Sequence, residues 1–276
     1  MSGILNNSNE LDNNVLTIKT VQIAPFRILM TALKDILLET NIIFTKDGIK
    51  IINMDKTHTI LVHLTLKAEN FEIFDCKYDK IIVGVNMLHL FKLISTIDND
   101  DTLTIYIEKD DYDSGVVSEL GLKFDNGDIK QSKIQKLRLI EPEQEEMEIP
   151  DLQFSSIINM PSADFQKIIR DLANISDKLE IESVGEELIF RCIGQYAKAE
   201  IRRTETTGSM QFIQKNSGAD IVQGIFSLRN LIYFIKCTNL CNQIEIFLKN
   251  NRPLIVKYNV ASLGEIKLCL GPLPST

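Results

Sequence analysis

Residues 137–151, Leu-Arg-Leu-Ile-Glu-Pro-Glu-Gln-Glu-Glu-Met-Glu-Ile-Pro-Asp, divide this sequence in a way few folds accommodate. Pro142 and Pro150 restrict the backbone and remove a donor at either end. Glu141, Glu143, Glu145, Glu146 and Glu148 repel one another between them, so residues 141–151 read as an extended linker. Met147 and Ile149 interrupt the carboxylates at a spacing of two, which in an extended chain places both apolar side chains on one face. That face needs something to rest on. The sequences before and after the linker carry the same order of elements, so any fold must present one architecture twice.

Before the linker, alternation over 15–21 predicts a strand, and Pro25 stands where a helix over 26–39 begins. Strands at 42–44 and 49–54 about an Asp47-Gly48 turn predict a hairpin, followed by strands at 60–66 and 71–76. Val83-Gly84-Val85 then leads into a helix over 86–97 with Asn86 as its N-cap, and strands follow at 102–108, 119–124 and 129–140. Beyond the linker come a strand at 154–160, a helix over 162–175 and strands at 179–183, 188–193 and 197–203. The polar stretch 204–219 reads as a loop. A strand at 221–226, a helix over 227–238 and strands at 243–248, 254–260 and 265–270 complete the second set. Gly84 to Leu88 and Gly224 to Leu228 read as matching positions. The pattern is a duplicated α+β chain, each unit a helix followed by antiparallel strands. It divides into a polar leader 1–14, domains 15–140 and 152–272 about the linker 141–151, and a short tail 273–276. The competing reading at this level is a non-repetitive α+β enzyme.

Composition narrows the chemistry. No apolar run approaches the ~18 residues of a membrane-spanning helix, and the N-terminus is rich in Asn and acid rather than basic and then apolar. Cys76, Cys192, Cys237, Cys241 and Cys269 are odd in number and form no Cys-x-x-Cys pair, which reads as reduced thiols. There is no His-Glu-x-x-His, no Gly-x-x-x-x-Gly-Lys and no convincing nucleophile with a base, so neither a cofactor nor an enzyme is expected. The acidic stretch 110–115 lacks the spacing of a calcium loop and reads as a hairpin turn.

Asp and Glu outnumber Lys and Arg by 38 to 30, giving a net charge of -8, yet each predicted helix carries cations at helical spacing. They are Arg27 and Lys34, then Lys92, then Lys167 and Arg170, then Arg229 and Lys236. On one helix this is an ordinary solvated face. Repeated on four, it describes a surface that attracts phosphate on a molecule that otherwise repels it. The sequence has no tryptophan and no loop dense in aromatics and glycine, so contact with nucleic-acid phosphates without sequence preference is the expectation.

Several segments resemble the proliferating cell nuclear antigen family of DNA sliding clamps. Met54-Asp55-Lys56-Thr57-His58 with Leu61-Val62-His63-Leu64-Thr65-Leu66 is similar to the family's Met-Asp-x-x-His segment and following strand. Met160-Pro161-Ser162-Ala163-Asp164-Phe165 with Arg170-Asp171-Leu172 resembles its Met-Pro-Ser-x-x-Phe helix start. Gly84-Val85-Asn86, Leu228-Arg229 with Phe234 and Lys236, and Pro253-Leu254-Ile255-Val256 with Tyr258 extend the match to nearly the whole chain.

The resemblance implies a head-to-tail homotrimer, a ring with sheets outside and helices lining the hole. The seven helix cations match positions that face the duplex. Met54, His58, Leu61, Met147, Ile149, Pro253, Leu270, Gly271 and Pro272 would form the pocket for a short client peptide. Ile134, Leu137, Ala199 and Ile201 would lie at the subunit seam. Implied partners are DNA polymerase and other clients, a clamp loader and further copies of the chain, with no membrane and no cofactor. The place of action is the nucleus, or a cytoplasmic replication site for a viral member, and the alternative is a monomeric processivity factor or adaptor of the same fold. Departures from the family pattern give the sequence a viral or divergent look. Cys269 replaces an aromatic behind the pocket, Gly185 stands where many members have a modifiable lysine, the acidic tail is missing after Pro272, and a leader precedes Val15.

Overall fold

The computed structural model describes residues 13–142, 147, 152–215 and 220–274. In the first half, β1 (Asn14–Thr20) leads to helix α1 (Ile23–Ile36), then β2 (Glu39–Thr45), β3 (Gly48–Met54), β4 (Ile60–Lys67) and β5 (Ile73–Cys76). After β6 (Lys80–Asn86) come helix α2 (Met87–Ile94), β7 (Thr102–Glu108), the small hairpin β8 (Tyr112–Asp113) and β9 (Val116–Val117), β10 (Glu119–Asn126) and β11 (Gln131–Arg138). The second half runs β12 (Ser156–Pro161), α3 (Ser162–Ala173), β13 (Lys178–Val184), β14 (Glu187–Ile193), β15 (Lys198–Thr204) and β16 (Gln211–Gln214). It ends with β17 (Val222–Ser227), α4 (Leu228–Phe234) with a 3-10 segment Ile235–Leu240, β18 (Gln243–Leu248), β19 (Leu254–Val260) and β20 (Gly264–Leu270).

The described residues fall into two compact units. The first takes residues up to Asn53, those from Leu64 to Pro142, and Ser262–Gly264; the second takes Met54–His63, Met147, residues 152–261 and 265–274. In the first unit one sheet has the order β11-β10-β7-β1-β5, and β4, β3, β2 and β6 lie side by side in that order. In the second unit one sheet has the order β15-β14-β13-β17, and β16, β12, β18, β19 and β20 lie side by side, with the head of β4 next to β20. Substituting β20 for β11, β19 for β10, β18 for β7, β12 for β1 and β16 for β5 turns the first order into the second. The duplication therefore extends to strand pairing, and the α+β class expected from the sequence is the observed one.

Alternation builds each core. β4 buries Ile60, Val62, Leu64 and Leu66 and leaves Leu61, His63 and Thr65 half-exposed. Phe26, Leu29 and Met30 of α1 and Leu90 and Ile94 of α2 meet strand residues including Phe44, Ile51, Leu64, Ile105 and Leu122 in one apolar core. The second unit repeats this with Phe165, Ile169 and Leu172 of α3 and Leu231 and Phe234 of α4, all buried.

Several sequence expectations need correction. Helix α1 starts at Ile23 and stops at Ile36, because Pro25 is tolerated in a first turn whose N–H groups have no intrahelical acceptor, and Leu37 is already extended. Helix α2 stops at Ile94, not 97: the hydroxyls of Ser95 and Thr96 donate to Lys92 O and Leu93 O at 3.0 and 2.8 Å, and the chain tightens into short-range turns. Helix α3 ends at Ala173, two residues early. The helix expected over 227–238 is α-helical only to Phe234, and Ser227 is its cap, its Oγ accepting from Asn230 N at 3.4 Å. The polar stretch 204–219 contains β16, which pairs with β12 just as β5 pairs with β1. The Asp47-Gly48 turn is one residue out. Thr45 pairs with Gly48, so Lys46 and Asp47 form the loop and Gly48 opens β3 at φ +143°. A Cβ there would lie 1.9 Å from Leu66 O.

Gly84 and Gly224 are not equivalent. The N-caps Asn86 and Ser227 match, which places Gly84 opposite Ile225 in the repeat. Two backbone bonds agree: Ile140 N donates to Gly84 O at 3.0 Å, and Leu273 N donates to Ile225 O at 2.7 Å. Ile140, just before the linker, and Leu273, at the start of the C-terminal tail, thus hold the same position in their respective halves.

Candidate functional site

The helix cations differ in how freely they meet solvent. On α1, the apolar stripe Phe26, Leu29, Met30 and Leu33 is buried, which turns Arg27 and Lys34 away from the core. Arg27 Nη1 donates to Asn99 Oδ1 at 2.9 Å. Lys34 pairs with Asp35 at 2.8 Å and lies 4.7 Å from the centre of the Phe91 ring, so its side chain is only 20% exposed. Lys92 on α2 is exposed. In the second unit Lys167 and Arg170 are exposed on α3, and Arg229 on α4 is exposed but pairs with Asp177 at 3.1 Å. Lys236 belongs to the 3-10 segment rather than to α4, and lies 5.5 Å from the centre of the Tyr233 ring.

The described residues assigned to the peptide pocket all fall in the second unit, at the end of β3, at the starts of β4 and β19, at the end of β20 and at Met147. Gly271 N donates to Thr59 O at 3.4 Å and Lys67 N to Leu263 O at 2.9 Å. These bonds lie eight residues apart on both strands and run in opposite directions, so β4 and β20 are antiparallel with Leu61 opposite Cys269. Met54, Leu61 and Pro253 are half-buried, while His58, Gly271 and Pro272 are exposed. Leu270 is 1% exposed and belongs to the core, so only its backbone borders this surface. Met147 is half-buried, and Ile149 lies outside the described residues.

Asp55 organises the loop between β3 and β4. Its carboxylate accepts from Thr59 N at 2.7 Å, Ile60 N at 2.6 Å, Thr57 N at 3.2 Å and the Thr57 hydroxyl. Burial pushes the Asp55 pKa up, but these donors outweigh it and hold the carboxyl below its ordinary value. The braced loop holds His58 at φ +54°. Asn230 Nδ2 donates to Thr59 Oγ1 at 3.2 Å, which ties α4 to the same loop. Sequence patterns alone assign no role to Asp55, Thr59, Asn230 or Leu273. The Asp-x-Thr-x-Thr spacing is the available signal for the first two, whereas the others follow only from tertiary packing. Burial raises the Cys269 thiol to about 11, so at neutral pH it is an uncharged apolar group.

β11 and β15 are each the last strand of their sheet. Ile134 on β11 is 61% exposed, and Ala199 and Ile201 on β15 are half-buried. Leu137 faces inward, opposite Leu120, and is 7% exposed, so it borders the edge through its backbone. Lys136 is clasped by Glu108 at 2.8 Å and Asp111 at 2.9 Å, which raises its pKa. Gln135 Oε1 is buried without a hydrogen-bond partner among the described residues.

The acidic stretch 110–115 contains the β8–β9 hairpin, turned by Ser114 and Gly115 at φ +51° and +98°. Among the described residues no cluster of His, Cys, Asp and Glu is arranged to hold a metal ion. No helix among them is long and apolar enough to cross a membrane.

Comparison with known proteins gives matches over both halves. Residues 15–146 match the family model "Proliferating cell nuclear antigen, N-terminal domain", and residues 148–273 match its C-terminal counterpart. The "Probable DNA polymerase sliding clamp" of Acanthamoeba polyphaga mimivirus is 35% identical over 227 residues, covering 82% of this chain and 47% of that protein. This chain thus spans about half the length of that relative. The "Probable DNA polymerase sliding clamp 1" of Paramecium bursaria Chlorella virus 1 is 32% identical over 270 residues, covering 96% and 99% of the two chains. The crystal structure of Proliferating Cellular Nuclear Antigen from Entamoeba histolytica superposes with a TM-score of 0.83 at 25% identity, covering 95% of this chain and all of that one.

Proposed function

The chain belongs to the proliferating cell nuclear antigen family, and we propose that it acts as a DNA sliding clamp, a processivity factor rather than an enzyme. In this reading three copies close head to tail around duplex DNA, with α1 to α4 of each copy turned toward the phosphates. The ring holds its place by topology. Its contacts with DNA are therefore weak, exchangeable and indifferent to base sequence, as sliding requires. Clients, DNA polymerase foremost, dock a short peptide on the surface formed by Met54, His58, Leu61, Met147, Ile149 and Pro253. Tethering then raises the polymerase's effective concentration at the primer end without a tight grip on any base. A clamp loader opens and closes the ring, and the work is done wherever the genome is copied.

The observation that carries this reading is a pair of sheet edges that no strand covers among the described residues. β11 and β15 are terminal strands with half-exposed or exposed apolar residues, a liability for a monomer and a means of assembly for a ring. Light scattering tests it. The expected mass at micromolar protein is three times the 31.4 kDa chain. A monomer under those conditions overturns the ring and favours a monomeric adaptor of the same fold.

A further inference from the structure

The outward face of the sheet β15-β14-β13-β17 holds a shallow depression lined by Lys178, Glu180, Arg191, Ile193, Lys198 and Ile225. Alternation places them there. Leu179 and Ile181 of β13 and Phe190 and Cys192 of β14 are buried, so the residues between them stand on the outer face. Glu180 lies opposite Ile225 on one side and Arg191 on the other, and Ile193 lies opposite Lys198. Continuing the register of β13 on β14 brings Lys178 to the other side of Ile193. Ile193 is 70% exposed, and the turn beside it is fixed: Ser176 Oγ donates to Ile193 O at 3.0 Å, and a Cβ on Gly194 would lie 1.8 Å from Ile175 O. Arg191 is already paired, with Glu182 and, at 2.6 Å, with Glu200. Lys178 and Lys198 are exposed and have no ion-pair partner among the described residues. An apolar side chain thus sits between two uncommitted cations on a chain whose net charge is -8.

The duplication gives this place a meaning. Gly48 and Glu187 occupy one position of the repeat, each closing a turn in pairs with Thr45 and Val184. The next hairpins are closed by Asp55 N donating to Ile60 O at 2.8 Å and by Gly194 N donating to Ala197 O at 2.9 Å. Counting from either pair, Ile193 stands where Met54 does and Lys198 where Leu61 does. We propose that the depression is a second peptide-binding surface, for an extended segment of a partner protein with the pattern acidic-x-apolar-x-acidic. In an extended chain alternate side chains face one way, about 6.7 Å apart, against about 4.8 Å between neighbouring strands. The central apolar side chain covers Ile193, and the flexible lysine stems take up the difference to reach a carboxylate on either side. Carboxylates suit the site better than phosphates, because Glu180 and Glu200 border it and repel a dianion more strongly. The proposal goes beyond the clamp reading and does not depend on it, since every residue it uses belongs to one unit of one chain.

The test is methyl NMR on the full chain, labelled at Ile and Met methyls and titrated with the peptide acetyl-Glu-Ser-Leu-Ser-Glu-amide. Saturable shifts are expected at Ile193 and Ile225, weakening as salt rises. The Lys178→Glu, Lys198→Glu double variant should bind that peptide about tenfold more weakly and should prefer acetyl-Lys-Ser-Leu-Ser-Lys-amide instead. Both lysines are exposed, and unchanged methyl signals elsewhere confirm that the variant keeps its fold. No shift at about 5 mM peptide, several times the millimolar dissociation constant that so small a contact implies, overturns the proposal. Equal shifts from the acidic and basic peptides on the parent chain overturn it as well, since the lysines then select nothing. Shifts confined to Met54 and Met147 would give the peptide to the other surface and remove the need for this one. A version with phosphoserine in place of both glutamates that binds more than about tenfold tighter would overturn the carboxylate assignment. None of these outcomes bears on whether copies of the chain form a ring, which light scattering decides separately.

Discussion

The two halves share helix order, strand order and N-caps, and they part company in three places. The loop between β3 and β4 has four residues between the bonded Asp55 and Ile60 and is braced by the Asp55 carboxylate, whereas the matching loop has two residues between Gly194 and Ala197. The strand before α2 receives Ile140, just before the linker, and the strand before α4 receives Leu273 of the tail. The cations of α1 are tied to neighbouring side chains, while those of α3 are exposed. All three differences lie outside the repeated core. A duplicated scaffold keeps what packs and diverges on its loops and surface.

The largest contrast available within this comparison is one of stability. Gly48 and Glu187 occupy the same position, each closing a two-residue turn, in pairs with Thr45 and Val184. Gly48 sits at positive φ with Leu66 O where a Cβ would go, while Glu187 carries a side chain that reaches Arg202 at 3.2 Å. Gly48→Ala should cost about 2–4 kcal/mol from backbone strain and overpacking. Glu187→Ala should change stability by less than about 0.5 kcal/mol, as expected for an exposed ion pair. Urea unfolding of both variants checks this, and equal midpoints would mean that the chain at Gly48 relaxes freely.

Next in size is the linker. Replacing Met147 and Ile149 with serine removes apolar area at roughly 25 cal/mol per Å², so affinity for a polymerase-derived peptide should fall by about 1–3 kcal/mol, or ten- to a hundredfold. Calorimetry that finds unchanged affinity would reduce the linker to a tether. The equivalent cut in the tail, Leu273→Ser, tests whether the position that both segments share serves clients in both halves or only in one.

Asp55 should have a smaller effect. Its donors hold its folded pKa below the unfolded value of about 3.9, so the stability it contributes is fully present above that pH and is lost as pH falls through the folded value. Asp55→Ala should cost about 1 kcal/mol at neutral pH, because the carboxylate is only partly buried, and the variant should lose less stability than the parent on acidification. The shorter loop at Gly194 has no such carboxylate and should contribute nothing to that acid sensitivity.

Most of this scaffold is legible in the sequence because alternation and turn residues report burial directly. β7, β18 and β19 begin and end where their patterns do. What the patterns miss has physical causes. β16 is an edge strand with one half-buried residue, Phe212, among exposed ones, so it carries no alternation strong enough to distinguish it from a loop. Helix α2 ends early where the hydroxyls of Ser95 and Thr96 compete for its last carbonyls. The one-residue error between Gly84 and Gly224 comes from matching residue type, when the caps that start the helices, Asn86 and Ser227, are the better fiducials. At the candidate sites, residue types place the cations on the outward side of the helices, but nothing in the spacing of Lys34 reveals that Asp35 and Phe91 hold it down.

That last distinction gives the finest test of the comparison. If the helices face the duplex, a cation already held by a carboxylate has less to offer a phosphate, since the new contact must compete with the old pair. Lys167 and Arg170 bear no such cost. Replacing both with alanine should weaken loading onto DNA and lower the slope of log affinity against log salt by roughly one for each phosphate that is no longer neutralised. Replacing Arg27 and Lys34 should do the same more weakly, by less than about 1 kcal/mol, because exposed and partly exposed ion pairs are worth little. Titration of each double variant on a circular duplex at several salt concentrations measures both slopes. Equal slopes would show that local pairing does not tune the grip on DNA. A larger loss from α1 would place the first unit's helices nearer the phosphates than those of the second.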